Sequence, residues 1–120
     1  MTLICGRVNF FSGPHLVFKY WLRGKFMRII IVGCGKVGSS IASELNLEGH
    51  EISVVDINHG AVDKLANSLD VLGIEGNGAT YDVLIEAGAE YADLLIAATA
   101  RDEINLYSCL MAKAAGVTHT

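Results

Sequence analysis

Short apolar runs alternate with amphipathic stretches along residues 27–116. The first run, RIIIV at Arg28–Val32, is continuous and β-branched, which is typical of a strand buried on both faces of a parallel sheet. The next stretch carries Val37, Ile41 and Leu45 at helical spacing and ends at Gly49. Further strands are predicted at Glu51–Asp56, Val71–Glu75 and Asp93–Ala98. Helices are predicted at Lys36–Glu48, Ala61–Leu69, Thr80–Ala87 and Asp102–Ala115.

This repeated strand–helix order predicts an α/β, Rossmann-like fold, with a parallel sheet and helices on both faces. In the last helix, Leu106, Leu110, Met111 and Ala114 form an apolar stripe. A complete doubly wound sheet has six strands in the order 3-2-1-4-5-6, and about four are predicted here. We therefore expect the second half of the fold to be truncated, with a fifth strand just beginning at residues 117–120. The fourth strand would then be an apolar sheet edge that favours self-association.

Residues 1–26 differ in composition from the rest of the chain. Arg7, the Ser12–Pro14 break and Lys19 interrupt their apolar stretches, so no run reaches the roughly 20 residues that a membrane span needs. Their basic residues stand at the wrong end for a secretory signal, although Tyr20 and Trp21 suit a short membrane-surface anchor. We interpret residues 1–26 as a leader, either non-native or an upstream extension. Residues 27–120 are interpreted as a nucleotide-binding domain that is incomplete at its C-terminal end.

Size and composition narrow the classes of function. With 120 residues, 52% of them hydrophobic, the chain suits one small α/β domain. All 13 acidic residues follow Met27, so the domain lacks the basic stripe of a nucleic-acid binder. The three cysteines and four histidines have no metal-ligand spacing. We expect no metal site, no nucleic-acid partner and a reducing, cytoplasmic compartment.

A glycine loop of the GxGxxG type lies between the first predicted strand and the first predicted helix. Gly33 permits the tight turn, Gly35 lets the backbone approach a pyrophosphate, and Gly38 lets the helix pack close to the sheet. Lys36 and Val37 open the helix, whose N–H groups and positive end favour phosphates. Lys36 is as consistent with an exposed lysine as with a phosphate contact.

Asp56 ends the second predicted strand, where a carboxylate accepts hydrogen bonds from the ribose hydroxyls of an adenosine. It would repel a 2′-phosphate, and the next residues, Ile57 and Asn58, provide no arginine to bind one. The cofactor prediction is therefore NAD or NADH, or alternatively ATP or ADP, rather than NADP.

Two more loops are expected at the same edge of the sheet. Asn77 and Thr80 follow the third strand and are predicted to flank the adenine, while Ala98 and Thr99 follow the fourth strand on the ligand side. Cys34 lies near a helix N-terminus, which lowers the pKa of some thiols, but a small neutral filler is the preferred interpretation.

Three linked blocks carry a family resemblance that runs from Met27 to about Gly116: the glycine loop, the Gly76–Thr80 loop and the Ala98–Asn105 stretch. Together they resemble the N-terminal nucleotide-binding domain of Trk-type potassium-uptake regulatory subunits, the RCK or TrkA-N family. The resemblance implies a cytoplasmic subunit, peripheral to the inner face of the cell membrane, that binds NAD(H), ATP or ADP. It implies an integral-membrane potassium transporter as partner and a homo-oligomer, either a dimer or a larger ring.

By residue match, the resemblance implies ligand contacts at the following positions: Gly33, Gly35, Gly38, Asp56, Asn77, Thr80 and Thr99. Two residues depart from the family pattern. Asn77 stands where an aspartate is usual, and Arg101 stands where a small or acidic residue is usual.

Two other functions are consistent with the glycine loop and Asp56. One is the cofactor domain of an NAD-dependent dehydrogenase, and the other is the cytoplasmic domain of a potassium/proton antiporter. No His, Lys or Tyr is obviously placed at the end of a strand for hydride-transfer chemistry. The blocks after the third and fourth strands, which carry the family resemblance, decide between these functions: they imply a nucleotide sensor with no catalytic residues rather than an enzyme.

Overall fold

Strands and helices alternate through residues 28–115, as the apolar pattern predicts. The computed structural model describes residues 2–6, 10–12 and 26–116. The strands are β1 (Leu3–Gly6), β2 (Phe10–Ser12), β3 (Arg28–Val32), β4 (Glu51–Asp56), β5 (Leu72–Glu75) and β6 (Leu94–Ala97). The helices are α1 (Lys36–Leu47), α2 (His59–Ser68), α3 (Tyr81–Glu86) and α4 (Asp102–Ala115). The four strands and four helices predicted between Met27 and Gly116 are all present, with small shifts at some ends.

The described strands form one sheet in the order β2-β1-β6-β3-β4-β5. β3 pairs in parallel with β4 on one side and with β6 on the other, and β4 pairs in parallel with β5. This is the 3-2-1-4 order of a doubly wound sheet, so the predicted Rossmann-like fold is confirmed. The carboxyl ends of β3, β4, β5 and β6 consequently lie at the same edge of the sheet.

Both faces of the sheet are covered, because successive residues of a strand point to opposite sides. Ile29 and Ile31 of β3 lie in a core shared with α1 and α2. Ile30 and Val32 lie in a second core shared with α3 and α4. Burial of each such side chain contributes about 1.5–3 kcal/mol, which explains why a run as apolar as RIIIV is a central strand.

The N-terminal segment takes part in the sheet, which corrects the expectation of an open edge at the fourth strand. β1 pairs antiparallel with β6, with Leu3 opposite Ala97 and Ile4 opposite Ile96. Ile4 is buried in the core on the α1 side, and β1 pairs in turn with β2. The backbone groups of β6 are therefore paired on both sides. The surface anchor considered at Tyr20 and Trp21, and the fifth strand expected from residue 117, lie outside the described residues.

The apolar stripe of α4 faces outward, unlike the stripes of the other helices. Leu106, Leu110 and Met111 are 47%, 47% and 38% exposed. The buried side chains of this helix are small or polar: Asn105, Ser108, Cys109, Ala112 and Ala115. Small side chains let a helix lie close to a sheet, so α4 packs on its small-residue side rather than on its leucines. None of the helices in the described part of the chain is long and apolar enough to cross a membrane.

Candidate functional site

The glycine loop occupies the predicted position between β3 and α1, and Gly33 at its start is required by the fold itself. Its φ of +109° lies in the region that favours glycine. A Cβ at Gly33 would lie 2.9 Å from the carbonyl carbon and oxygen of Ala98. The N–H of Gly33 donates to the Val55 carbonyl at 2.7 Å, which ties the turn to β4.

Gly38 is also required by packing within the protein. A Cβ at this position would lie 1.8 Å from the carbonyl oxygen of Gly33, far inside van der Waals contact. The first turn of α1 therefore lies directly against the turn that precedes it. The motif predicts close packing of this helix on the sheet, but the nearest neighbour of Gly38 is the loop, and a Cβ there would lie 3.7 Å from Ile31 Cγ2 of β3.

Gly35 has no comparable requirement. Its backbone is extended, with φ of −76° and ψ of −162°, a conformation that any residue adopts. A Cβ at Gly35 would meet no described heavy atom within 4 Å. Neither the backbone nor the packing of the described chain therefore requires glycine here. A side chain at Gly35 would extend into open space beside the N-terminus of α1.

The N-terminus of α1 suits an anion at that position. The first N–H groups of a helix have no acceptor within the helix, and no side chain of the described residues caps those of α1. The first turn holds no acidic residue, whereas α4 begins with Asp102 and Glu103. Lys36 and Val37 are exposed in this turn, so Val37 does not join the buried stripe of Ile41 and Leu45.

Asp56 lies at the end of β4 and contacts the glycine loop. One carboxylate oxygen accepts the Cys34 N–H at 2.7 Å, and the other accepts the Asn58 N–H at 2.9 Å. A carboxylate offers about four acceptor positions. Asp56 therefore holds the loop in place and retains acceptor capacity on each oxygen for the hydroxyls of a ribose. The following residue, Ile57, is 73% exposed.

The Cys34 side chain is buried and neutral rather than reactive. Burial, and secondarily the negative charge of Asp56, raise the pKa of the Cys34 thiol to about 12. Its carbonyl accepts a hydrogen bond from the Ser39 hydroxyl at 2.9 Å. Cys34 therefore acts as a filler in the loop, as preferred from the sequence. No group of three or more potential metal ligands occurs among residues 2–6, 10–12 and 26–116.

The loop after β5 lies beside the end of β4, because Glu75 pairs with Asp56 and the Gly76 N–H donates to the Asp56 carbonyl at 2.9 Å. Asn77 and Thr80 are both exposed in this loop. The Asn77 side chain accepts the Ala79 N–H at 2.9 Å, and the Thr80 hydroxyl donates to the Asn77 carbonyl at 2.8 Å. The asparagine that replaces the usual aspartate is thus an acceptor within its own turn.

Ala98 and Thr99 leave β6 directly against the glycine loop. The Ala98 N–H donates to the Val32 carbonyl at 2.8 Å. The Thr99 hydroxyl donates to the Asn105 side chain at 2.6 Å. The next cation along the loop, Arg101, forms an ion pair with Glu103 at 2.8 Å. Hydrogen bonds lower the pKa of the Glu103 carboxyl: the largest contribution comes from its own backbone N–H, and the second largest from the Arg101 side chain.

Two residues at this edge were missed by the sequence reasoning. Asn105 is completely buried against Thr99. The sequence signal for its burial is helical spacing, because Asn105 stands four and seven positions before the buried Cys109 and Ala112. His59 lies between two carboxylates, with Nδ1 2.9 Å from Glu75 and Nε2 2.9 Å from Asp63. The pair with Asp63 has the local i, i+4 spacing of one helix, whereas the pair with Glu75 joins α2 to β5 and has no local sequence signal.

A separate groove opens at the opposite edge of the sheet. Its volume is about 1050 Å³, and the first residues of three strands, Arg28, Glu51 and Leu72, help to line it. Ligands of doubly wound folds bind outside the carboxyl ends of the strands. The glycine loop, Asp56 and Thr99 all lie at that other edge, so this groove is not the candidate site.

Comparison with known proteins agrees with this arrangement. The family model described as the TrkA-N domain matches residues 29–119. A protein named Trk system potassium uptake protein TrkA from Azorhizobium caulinodans is 42% identical over 83 residues, which cover 69% of this chain and 18% of that protein. The protein of the same name from Vibrio alginolyticus is 41% identical over 86 residues, covering 72% of this chain and 19% of that protein.

An archaeal relative is shorter. The protein named Trk system potassium uptake protein TrkA homolog from Pyrococcus abyssi is 34% identical over 87 residues, covering 72% of this chain and 38% of that protein. The matched part of the chain thus spans between about a fifth and two fifths of the length of these relatives. The match covers the glycine loop, Asp56 and the loops after β5 and β6.

Proposed function

We propose that this chain, which belongs to the TrkA-N family, is the nucleotide-sensing part of a regulatory subunit of a potassium-uptake system. Its ligand is NAD(H), or alternatively ATP or ADP. The observation that carries the proposal is Gly35, a glycine that the described chain does not need for itself. A glycine at such a position is explained by a ligand that must approach the backbone closely.

The residues around Gly35 fit a nucleotide diphosphate. When bound, such a ligand supplies a negatively charged pyrophosphate and a ribose with two hydroxyls. Gly35 and the uncapped N-terminus of α1 would hold the pyrophosphate. Asp56 would hold the ribose through the acceptor positions that Cys34 and Asn58 leave open. Ala98 and Thr99 would bound the site on the β6 side, and Asn77 and Thr80 would flank the adenine.

Discrimination against NADP follows from charge. The carboxylate of Asp56 would lie beside a 2′-phosphate, and Glu75 ends the neighbouring strand opposite it. Like charges brought together at a partly buried site repel each other. We therefore expect NAD(H), ATP and ADP to bind and NADP to bind much more weakly.

A sensor accounts for the site better than an enzyme. The polar groups at the strand ends are engaged in holding loops: Asp56 accepts two backbone N–H groups, and Thr99 is bonded to Asn105. The relatives are named as potassium uptake proteins rather than as oxidoreductases. Binding would therefore alter how the loops are held, and no chemical step is assigned to the chain.

The proposal extends to the partners of the complete protein. A regulatory subunit of this kind would act in the cytoplasm, peripheral to the inner face of the membrane, on an integral-membrane potassium transporter. It would do so as a homo-oligomer, a dimer or a larger ring. The outward stripe of Leu106, Leu110 and Met111 supports assembly, because contiguous apolar patches on a surface mark interaction sites.

Thermal unfolding of the chain in the presence of NAD, NADH, ATP, ADP or NADP tests the proposed ligands. A ligand at about 100 times its Kd stabilises the folded state by about 2.7 kcal/mol. We expect an increase in Tm with at least one of the first four nucleotides and little or none with NADP. Equal stabilisation by NADP would contradict the role of Asp56, and no stabilisation by any nucleotide would refute the proposed function.

A further inference from the structure

The loop that follows β6 is held by a single buried side chain on α4. Asn105 Oδ1 accepts hydrogen bonds from the Thr99 N–H at 2.9 Å and from the Thr99 hydroxyl at 2.6 Å. Its Nδ2 donates to the Thr99 carbonyl at 3.2 Å. One amide side chain thus contacts the N–H, the hydroxyl and the carbonyl of one loop residue.

Asn105 makes these contacts from the interior of the protein to Thr99, a loop residue that is half-buried. Asn105 and Ser108 are both completely buried on the sheet side of α4. Hydrogen bonds between buried groups are costly to remove, because the remaining donor or acceptor is left unsatisfied. The Thr99 hydroxyl also accepts the Arg101 N–H at 3.2 Å, so Asn105 fixes the start of α4 as well as the loop.

The loop held by Asn105 is the one that lies against the glycine loop. A Cβ at Gly33 would lie 2.9 Å from the Ala98 carbonyl and 3.0 Å from the Thr99 nitrogen. There is therefore no room for a side chain between the Gly33 turn and the Ala98–Thr99 backbone. A shift of Thr99 would move a surface against which the glycine loop is packed.

We infer that Asn105 is a positioning residue of the nucleotide site. It holds Thr99 in place, and the Ala98–Thr99 backbone is the surface against which the glycine loop packs. The inference rests on the proposed nucleotide-binding function and adds to it a residue that need not touch the ligand. A merely structural residue would lower the stability of the whole fold. A positioning residue also changes the affinity at temperatures where the protein remains folded.

Three variants of the full 120-residue chain separate these roles. Asn105→Ala removes all three contacts with Thr99. Asn105→Asp keeps the acceptor oxygen for the Thr99 N–H and hydroxyl and removes the donor to the Thr99 carbonyl. Ser108→Ala is the matched control, because Ser108 is buried on the same side of α4 and its hydroxyl has no hydrogen-bond partner among the described residues.

Two readouts are compared below the unfolding transition: the Kd for NAD and for ADP by calorimetry, and amide hydrogen exchange over residues 98–101. Asn105→Ala should weaken the better-bound nucleotide about ten-fold, the scale of losing a buried hydrogen bond. It should also speed Thr99 amide exchange by at least a similar factor. Asn105→Asp places a carboxylate oxygen against the Thr99 carbonyl oxygen, which repels it, and should therefore also weaken binding and speed Thr99 exchange. Ser108→Ala should change neither readout.

An unchanged Kd in a folded Asn105→Ala chain would overturn the inference, as would equal effects of Asn105→Ala and Ser108→Ala. If Asn105→Ala does not fold, Thr99→Val decides the question, because it removes the hydroxyl from the same contact and leaves Asn105 in place. Faster Thr99 exchange together with a raised Kd would support the inference, and an unchanged Kd would overturn it. Failure of the unmodified chain to bind any of NAD, NADH, ATP and ADP would refute the proposed function and, with it, the positioning role. Exchange at Thr99 would then still report whether Asn105 holds the loop.

Discussion

The Asp56 carboxylate accepts a hydrogen bond of 2.7 Å from the backbone N–H of Cys34, the second residue of the glycine loop. The side chain predicted to hold a ribose therefore also connects the end of β4 to the loop predicted to hold the pyrophosphate. Its other oxygen accepts the N–H of Asn58, which caps α2 by accepting the Ala61 N–H at 3.0 Å. A ligand that forms hydrogen bonds with the Asp56 carboxylate would consequently affect the position of both the glycine loop and the start of α2.

Replacing the charge of Asp56 should weaken nucleotide binding and relax the rejection of NADP. Asp56→Asn keeps one oxygen acceptor, loses the negative charge and adds an amide donor. We expect a loss of about 1–3 kcal/mol in NAD binding, the scale of hydrogen bonds to a charged group, measured by calorimetry. The ratio of NADP affinity to NAD affinity should rise. Asp70→Asn, an exposed change at the opposite edge of the sheet, is the control for a general charge effect. An unchanged ratio in Asp56→Asn would count against the assignment.

Gly38→Ala should destabilise the fold strongly. Its Cβ would lie 1.8 Å from the carbonyl oxygen of Gly33, and this neighbour is backbone that cannot rotate away. Overpacking of this kind costs about 3 kcal/mol, measured as the free energy of unfolding in urea. Gly60→Ala is the matched control, since its nearest atom is 3.4 Å away and it lies in the first turn of α2. A Gly38→Ala chain as stable as Gly60→Ala would show that α1 does not pack on the loop as described.

The Cys34 thiol should be unreactive in the folded chain. Its pKa is raised to about 12, first by burial and then by Asp56, so the thiolate is scarce at pH 8. Iodoacetamide should modify Cys34 only after unfolding, as followed by peptide mass spectrometry. The raised pKa also makes stability depend on pH. Below about pH 9 the thiol is protonated in both states, and between about pH 9 and pH 12 only the unfolded chain loses the proton, so the free energy of unfolding falls. Cys34→Ala should remove this part of the alkaline loss, and rapid labelling of the native chain at pH 8 would contradict the buried position.

The N-terminal strand should contribute to stability. Ile4 is 7% exposed and lies opposite Ile96 on β6. Ile4→Ala should lower the free energy of unfolding by about 2 kcal/mol, the low end of the range for such core truncations. Val37→Ala provides the control, because Val37 is 52% exposed on α1. Equal, small effects of the two substitutions would show that β1 does not contribute to the stability of the fold.

The sequence was sufficient for the elements whose pattern is local. RIIIV has the continuous, β-branched pattern that is typical of a doubly buried strand, and the glycines at 33, 35 and 38 have the spacing of a strand–loop–helix turn. What it could not supply were relations between distant segments. Pairing of Leu3–Gly6 with β6 depends on contacts over more than 80 residues, which no local periodicity encodes.

The outward stripe of α4 shows a second limit of pattern reading. Leu106, Leu110 and Met111 are the most apolar side of this helix, yet the sheet accepts the side that carries Asn105, Ser108 and Ala112. Hydrophobicity predicts which residues of a helix prefer burial, but the space between α4 and β6 decides which side of α4 packs on the sheet. The same packing brings Asn105 to Thr99, a contact that the apolar stripe of α4 does not predict.

Gly35→Val tests the central claim most directly, because a side chain at this position meets no described atom of the protein and would fill the space assigned to the pyrophosphate. The measurement is the affinity for NAD and ADP by calorimetry, paired with the free energy of unfolding without ligand. We expect the variant to fold with a stability within about 1 kcal/mol of the unmodified chain and to lose at least about ten-fold in affinity. Unchanged affinity in a folded Gly35→Val chain would remove the glycine loop from the site and contradict the account.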